Sequence, residues 1–441
     1  MTIPSVSIEQ FIEKAKAVLS WQNNIILEGV PGVGKTWIVK KLWNELGIPP
    51  SRTRIVTFGP ASEPEEFVGG LFPESGGTFP PNFKYVEGVL MELAMLANDD
   101  PEHHYYMFID EINRANLPKV MGALMTIIET SKRYDPNRTG SKAWRKTPPP
   151  PPPEPTEYRV SLTHEEGCTI YFGLPKNLYL VGAMNTSDRS VIHLDGALRR
   201  RFSFLRINTL LSSNGLEDLV QSLSSVNSVG FWSGPHLHEC NELLRSFVEL
   251  NEELWKIIGP DGVLGHSYFF DAGWCESPTQ MFKQKCDDSG VDLSDLETEF
   301  MNKIFCSPID PHNLTTGAYR QYGGGSILPR LLIQNLVSKN VLIDQGTSPR
   351  SYSVAEEFNI SIKMKDAFWQ GFWDQYSYAI LPQLADTLNA FAIEEGRTGD
   401  LLQHLESISN SFVEQHNVLE SQRRTLRPPS ALGAAREWRV E

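Results

Sequence analysis

Residues 24–42 read NIILEGVPGVGKTWIVKKL, and the order of features in this stretch decides the fold. Three consecutive branched or apolar residues, Ile25 to Leu27, have the density of a buried strand, and Trp37 to Leu46 carries apolar residues at helical spacing. Between them Gly29, Val30, Pro31, Gly32, Val33, Gly34, Lys35 and Thr36 match the pattern G-x-x-x-x-G-K-[ST] in the strand-to-helix context that a phosphate loop requires. Glycines at these positions let several backbone N–H groups aim at phosphate oxygens, and the following helix N-terminus adds positive potential. Lys35 is then the cation for the β and γ phosphates, and Thr36 offers a hydroxyl to Mg²⁺. The substrate implied is a nucleoside triphosphate.

Working outward, strand-like and helix-like segments alternate. Arg54 to Phe58 reads as a strand, Gly88 to Ala97 as a helix, Tyr105 to Ile109 as a strand and Leu117 to Thr130 as a helix. Two more strands, Leu178 to Val181 and Phe202 to Ile207, complete five within residues 21–208. Such alternation predicts an α/β fold with a parallel sheet. Ahead of it, Ser7 to Leu19 is an amphipathic lead-in within residues 1–20. Residues 131–156 interrupt the pattern with SKRYDPNRTGSKAWRKTPPPPPPEP and its six consecutive prolines, which predicts an extended excursion. EYRVSL and CTIYFGL, inside residues 157–173 and just beyond, then read as a hairpin around THEEG.

From about residue 209 to 397 helical spacing dominates, as in His238 to Ile258, with an insertion of mixed character at about 271–365. Residues 398–441 read as one helix and a weakly basic tail.

The chain has 441 residues, 40 basic against 54 acidic, a net charge of −14, ten Trp and 22 Phe. That composition predicts a globular chain of two or three domains with an aromatic-rich core, and its charge repels a polyanion at long range. Any nucleic-acid contact is therefore expected to be local. Cys168, Cys240, Cys275, Cys286 and Cys306 are odd in number and form no CxxC pair, which argues against a disulfide framework or a zinc site and for a reducing cytoplasm. The N-terminus has acidic residues where a signal peptide is basic, and no stretch approaches 18 apolar residues, so no membrane partner is expected.

Three further stretches supply candidate chemistry. In YYMFIDEINRAN (105–116), Asp110 and Glu111 sit at the end of an apolar strand. Asp110 is placed to hold Mg²⁺ and Glu111 to polarise the attacking water; the alternative is a pair of solvated turn residues. In GAMNTSDRS (182–190), Asn185 follows a buried strand and can orient the water or touch the γ-phosphate, against the alternative of a buried polar cap. In LDGALRRRF (194–202), Arg199, Arg200 and Arg201 end a short helix; a guanidinium reaching a neighbour's site stabilises the transferring phosphoryl group and requires a ring of subunits. Six cations from Lys132 to Lys146, namely Lys132, Arg133, Arg138, Lys142, Arg145 and Lys146, form a candidate contact for DNA or a partner, with a solvated loop as the equal alternative. His266 reads as a hydrogen-bonded residue of the helical part rather than a catalyst.

Phosphate loop, acidic pair, polar strand end and arginine cluster in this order resemble an AAA+ ATPase core. The wording of EEFVGGLFP, FKYVEGVL, FIDEINRANLPKVMGALMTIIE, LPKNLYLVGAMNTSDRS, LDGALRRRFSF, LGHSYF and WDQYSYAILPQL is similar to the McrB family, motor subunits of McrBC modification-dependent restriction systems. The resemblance covers roughly residues 20–270 and 366–390. It implies a five-stranded AAA+ P-loop NTPase domain with a mainly helical lid, a homo-oligomeric and hexameric ring, hydrolysis of ATP or GTP with Mg²⁺, and a McrC-type PD-(D/E)xK nuclease partner whose cleavage of DNA is driven by translocation in antiviral defence. By the same matching Lys35 and Thr36 carry over as Walker A, Asp110 and Glu111 as Walker B, and Asn185 as sensor 1. Asp188 and Arg189 complete the MNxxD signature, and Arg200 and Arg201 are the finger candidates beside Arg199.

Family members that read methylated DNA carry a separate domain before the motor, where this sequence has about twenty residues before its first strand. Target recognition is therefore expected from another subunit or from an insertion, with DNA reached through the partner or the pore. The competing functional readings are a MoxR-like ATPase that remodels protein complexes and a nucleotide-gated scaffold that recruits an effector.

Overall fold

The computed structural model describes residues 3–4, 6–73, 83–122, 124–137, 144–145, 160–163, 169–187, 196–226, 237–271, 314–315, 342–344, 351–354, 369–370, 372–391, 400–415, 424, 426–427 and 439–440. These group into two units: an α/β unit of residues 4–209 with 260–265, and a helical unit of residues 1–3, 210–259 and 266–441.

In the α/β unit, helix α1 (Ile8–Leu19) is started by a reciprocal capping box between Ser7 and Gln10, and its apolar stripe Ile8, Phe11, Ile12, Ala15 and Leu19 is buried. Strand β1 (Asn24–Gly29) leads through the loop into α2 (Lys35–Glu45). Next come β2 (Thr53–Thr57), the short α3 (Pro64–Phe67), β3 (Gly69–Pro73), β4 (Phe83–Glu87), α4 (Val89–Asp99) and β5 (Tyr105–Asp110). After β5 the chain forms α5 (Leu117–Met121), α6 (Leu124–Ile127), a short strand β6 (Trp144–Arg145), the hairpin β7 (Val160–Thr163) and β8 (Thr169–Phe172), and then β9 (Leu178–Asn185). A turn of helix, α7 (Gly196–Arg199), and β10 (Ser203–Arg206) close the unit.

Five strands make one sheet in the order β10-β1-β9-β5-β2, every neighbouring pair parallel. Parallel strands need crossovers, and these put helices over both faces, so the central strands carry continuous apolar runs rather than alternation. Tyr105 to Ile109 and Ile25 to Leu27 are buried accordingly. The sheet core continues into α4, α5 and α6 through Leu90, Leu93, Val120, Leu124 and Ile127.

Several elements differ from the sequence reading. The strand expected to stop at Val181 continues to Asn185, because Ala183, Met184 and Asn185 pair with Leu27, Glu28 and Gly29. Glycine is a poor strand former, but Gly182 lies where a Cβ would come within 2.9 Å of Ile112 Cδ1, so packing against that side chain overrides propensity. The helix expected over Leu117 to Thr130 is broken into α5 and α6 at Gly122, whose φ of 39° is not helical. The antiparallel pair β3 and β4 had no counterpart in the sequence reading. The hairpin of β7 and β8 forms as expected, with β6 added to its edge.

The basic excursion also begins later than residue 131. Arg133 and Tyr134 are both 1% exposed, and Tyr134 bridges to Pro175. Arg133 is therefore no part of a DNA-facing loop. Its Nε donates to Ile128 O at 3.1 Å, and its other nitrogens donate to Leu178 O, Pro175 O and Asn24 Oδ1. Burial lowers its pKa to about 9. Lys132 is paired with Glu129. Arg138, Lys142, Lys146 and the polyproline run lie outside the described residues.

In the helical unit, α8 (Leu216–Val226), the long α9 (Leu237–Ile257) and α10 (Tyr268–Asp271) precede α11 (Leu381–Ala390) and α12 (Leu401–Gln415). A π-helical turn over Tyr376–Ile380 runs into α11, with Leu381 N–H reaching Tyr376 O. Pro382 explains it: the ring cannot donate to the preceding turn, which opens by one residue. The aromatic content is concentrated here, where Phe247, Phe269, Trp369, Phe372, Trp373, Tyr376 and Phe412 form a chain of ring contacts 5.1–6.3 Å apart. Among the described residues no helix is long and apolar enough to cross a membrane. Most of residues 271–365 lie outside the described residues.

The buried Arg133 network sets a stability test. Arg133→Met keeps the volume but takes a donor from Asn24 Oδ1, Ile128 O and Leu178 O; the two carbonyls keep the amides of Asn24 and Asn23, and a group left unsatisfied costs about 1–3 kcal/mol. Urea unfolding should show the α/β unit destabilised by roughly 1–3 kcal/mol. A loss under about 0.5 kcal/mol would show that the network is dispensable.

Candidate active site

Parallel strands all end at the same edge of the sheet, so β1, β5 and β9 deliver their last residues to one place. The loop after β1 turns through Gly32 and Gly34, with φ of 76° and 73°, conformations that a side chain disfavours. Gly34 is the N-cap of α2, and no side chain caps that helix, which leaves its first N–H groups to face the loop.

Lys35 Nζ donates to Gly29 O at 3.1 Å, to Val30 O at 3.0 Å and to Asn185 Oδ1 at 2.6 Å. The amide of Asn185 donates in turn to Glu111 Oε1 at 2.8 Å. Arg114 Nε donates to the other oxygen, Oε2, at 3.1 Å. Asn185 is itself fixed from behind, since Asn113 Nδ2 donates to its carbonyl at 3.2 Å and Thr186 N–H donates to Gly29 O at 3.1 Å. Loop lysine, strand-end asparagine and Walker-type glutamate are thus consecutive members of one hydrogen-bonded chain.

Glu111 has φ of 51°, the one positive value found at a non-glycine among the described residues. That left-handed conformation costs about 1–2 kcal/mol. It is held by Arg114 N–H donating to Glu111 O at 2.8 Å and by Glu111 N–H donating to Asp110 Oδ1 at 3.0 Å. Strain of this kind at a polar residue marks a site whose geometry is fixed by its surroundings.

Thr36 Oγ1 donates to Asp110 Oδ2 at 3.2 Å. A hydroxyl and a carboxylate side by side are hard oxygen donors, which suit Mg²⁺ completed by water and phosphate oxygens rather than zinc. These two residues would hold the ion, and its chemistry there is to neutralise charge on the β and γ phosphates.

Arg199 ends α7, and Arg200 and Arg201 follow it towards the start of β10, away from this cluster. Arg199 lies over the Phe204 ring at 5.2 Å, and Arg201 offers its carbonyl to Asn24 Nδ2 at 2.9 Å. Arg199 and Arg200 are exposed, and Arg201 is half-buried. Asp188 and Arg189 lie outside the described residues. In the helical unit His266 is 5% exposed, and its Nδ1 accepts the Leu210 N–H at 3.1 Å. Burial pushes its pKa down to about 4, so it is a neutral, structural imidazole.

An AAA domain of the dynein-related subfamily matches residues 24–202. The type IV methyl-directed restriction enzyme EcoKMcrB subunit from Escherichia coli (strain K12) is 32% identical over 272 residues, 60% of this chain and 50% of that protein. Residues 24–202 thus carry an AAA+ P-loop NTPase domain, and the chain is similar to McrB. Its five-stranded parallel sheet and helical C-terminal region are those of the AAA+ fold. The YdiS component of the type II restriction enzyme BsuMI from Bacillus subtilis (strain 168) is 25% identical over 217 residues, 44% of this chain and 59% of that protein. The chain therefore spans half or somewhat more of the length of these relatives.

Two residues of this McrB-like site escaped sequence reasoning. Arg114 and Asn113 stand in the quoted EINRAN stretch, but a role for them needed the turn after β5 that folds them back on Glu111 and Asn185. Their only sequence signal was a polar pair one residue beyond the acidic one.

Lys35 also carries a pH signature. Burial lowers its pKa to about 8, against the opposing pull of Glu111 and Asp110. A bound polyanion favours the charged form, so binding takes up a proton where free Lys35 is neutral and bound Lys35 is charged. Triphosphate affinity should be flat below about pH 8 and fall by up to tenfold per unit from there towards 10. Calorimetry at pH 9 in buffers of differing ionisation heat should register the proton uptake. Equal affinity at pH 7 and pH 10 would contradict the assignment.

Proposed function

We propose that this NTPase is the ring-forming motor of a McrBC-like restriction system, hydrolysing ATP or GTP with Mg²⁺ to drive DNA translocation and cleavage by a McrC-type nuclease subunit. The observation that carries the proposal is the continuous chain from Lys35 through Asn185 to Glu111. A triphosphate on the loop lies at one end of it, and the residue that orients water lies at the other.

In this reading the loop N–H groups and Lys35 bind the β and γ phosphates, and Thr36 and Asp110 hold Mg²⁺. Glu111 accepts the proton side of the attacking water, with Asn185 and Arg114 fixing the direction of its carboxylate. Arg200 or Arg201 of an adjacent copy supplies positive charge to the transferring phosphoryl group, in a hexamer or similar ring. The exposure of Arg200 supports a role towards a neighbour rather than in its own site. Asp188 and Arg189 are assigned to the same signature by their place after Asn185. The restriction setting rests on both relatives being restriction-enzyme subunits, and DNA is reached through the nuclease partner or the pore. A cytoplasmic location belongs to the same reading.

Glu111→Gln should bind triphosphate and assemble as the unaltered chain does, while turnover falls by 10² or more. Copies carrying Arg200→Ala and Arg201→Ala should be equally slow alone. Mixing the two should restore part of the turnover, because a mixed interface pairs an intact Glu111 with an intact arginine. No recovery on mixing would remove the shared site. Stimulation by a polypeptide, with indifference to methylated DNA and nuclease, would favour a remodelling ATPase instead.

A further inference from the structure

The α/β unit contains six residues from a distant part of the chain. Residues 210–259 and 266–441 pack in the helical unit, but 260–265 pack with the nucleotide-binding unit. Sequence punctuation explains how the chain gets there. Helix α9 ends at Ile257, Gly259 just beyond it takes a positive φ of 96°, and Pro260 cannot continue a helix. Arg206, the last residue of β10, then takes hold of the segment, donating to Pro260 O at 3.0 Å and to Asp261 Oδ1. Val263 and Leu264 are buried, at 6% and 2% exposure.

The segment ends directly against the phosphate loop. A Cβ built on Gly265 would stand 2.2 Å from Gly32 C, 2.2 Å from Pro31 O and 2.4 Å from Gly32 O. These are backbone atoms, which cannot swing aside as the end of a side chain can. They also belong to the turn where the loop adopts its positive-φ conformation at Gly32.

We infer that residues 260–265 are a structural wall of the nucleotide cradle and that Gly265 is a positioning residue, its bare Cα setting how far the Pro31–Gly32 turn can lie from the phosphates. With Arg206 fixing its start and buried Val263 and Leu264 its far end, the segment has little slack in which to absorb a methyl group at 265. Any side chain there must push Pro31 and Gly32 off their positions, and the N–H groups of the loop lose their common aim. The inference rests on triphosphate binding at residues 29–36 and is independent of the restriction setting. Its bland competitor is a glycine that merely fits a crowded core, for which substitution would cost stability and affinity in proportion.

The test compares Gly265→Ala with Leu264→Ala, reading the Kd for ATPγS and GTPγS with Mg²⁺ and the Tm without nucleotide. Lys35→Ala serves as the control that binding occurs on the loop. Gly265→Ala should raise the Kd tenfold or more with Tm within a few degrees of the unaltered chain. Leu264→Ala should lower Tm with Kd changed less than threefold. An unchanged Kd in Gly265→Ala overturns the inference, as does equal loss of affinity in the two variants. If Gly265→Ala does not fold, Arg206→Ala frees the other end of the segment. It should raise the Kd two- to fivefold and speed amide exchange across residues 29–36, and wild-type values of both would overturn the inference. Binding undiminished by Lys35→Ala would instead remove the loop as the site.

Discussion

The Lys35 ammonium is largely withdrawn from water and pairs with carbonyls and an amide instead of a carboxylate. Two loop carbonyls and the Asn185 amide oxygen share it, and burial lowers its pKa to about 8. A cation desolvated in this way is costly until an anion arrives. Asn185 must lie at the end of β9 to reach Lys35, and Glu111 must adopt its strained backbone to reach Asn185. The rest of the site follows from that one buried charge.

Sheet order is what makes the chain of contacts possible. β9 lies between β1 and β5, so its final residue has the loop on one side and the acidic pair on the other. In-register pairing of Gly29 with Asn185 removes any freedom to slide. A shift of one residue would turn Asn185 to the other face of the sheet and break both links. Beneath the opposite, N-terminal side of the strands, Arg133 ties Asn24, Ile128 and Leu178 together. Among the described residues no carboxylate pairs with that guanidinium, and it anchors β1 and β9 to each other at the end away from the phosphate loop.

The helical unit uses different physics. Its rings meet edge-on and stacked around Phe372, Tyr376 and Phe412, and Tyr376 Oη satisfies itself at Leu405 O and Ser409 Oγ. The π turn at Tyr376–Ile380, forced by Pro382, lies inside this cluster and gives the tyrosine its place there. His266, neutral and buried, belongs to the same supporting structure.

The residues alone specified the phosphate loop, the acidic pair, Asn185 and the parallel alternation, because each is a local pattern: glycines at fixed spacing, an apolar run, a polar residue at its end. Local reasoning failed where packing overrode propensity. Gly182 and Ala183 read as the end of a strand that in fact continues between two neighbours, and Gly122 breaks a helix that periodicity carried through. Arg133 read as a surface charge, since nothing in SKRYD distinguishes a buried arginine from an exposed one. Arg114 on Glu111, and Gly265 against Pro31 and Gly32, depend on contacts between residues close in space after folding but separated by a turn or by some 230 positions in sequence. What the sequence by itself determined is therefore the set of chemical groups and the edge of the sheet that carries them. Which of them touch, and which backbone must stay bare for them to do so, was decided by tertiary packing, because close approach is a property of three-dimensional volume that no linear spacing encodes.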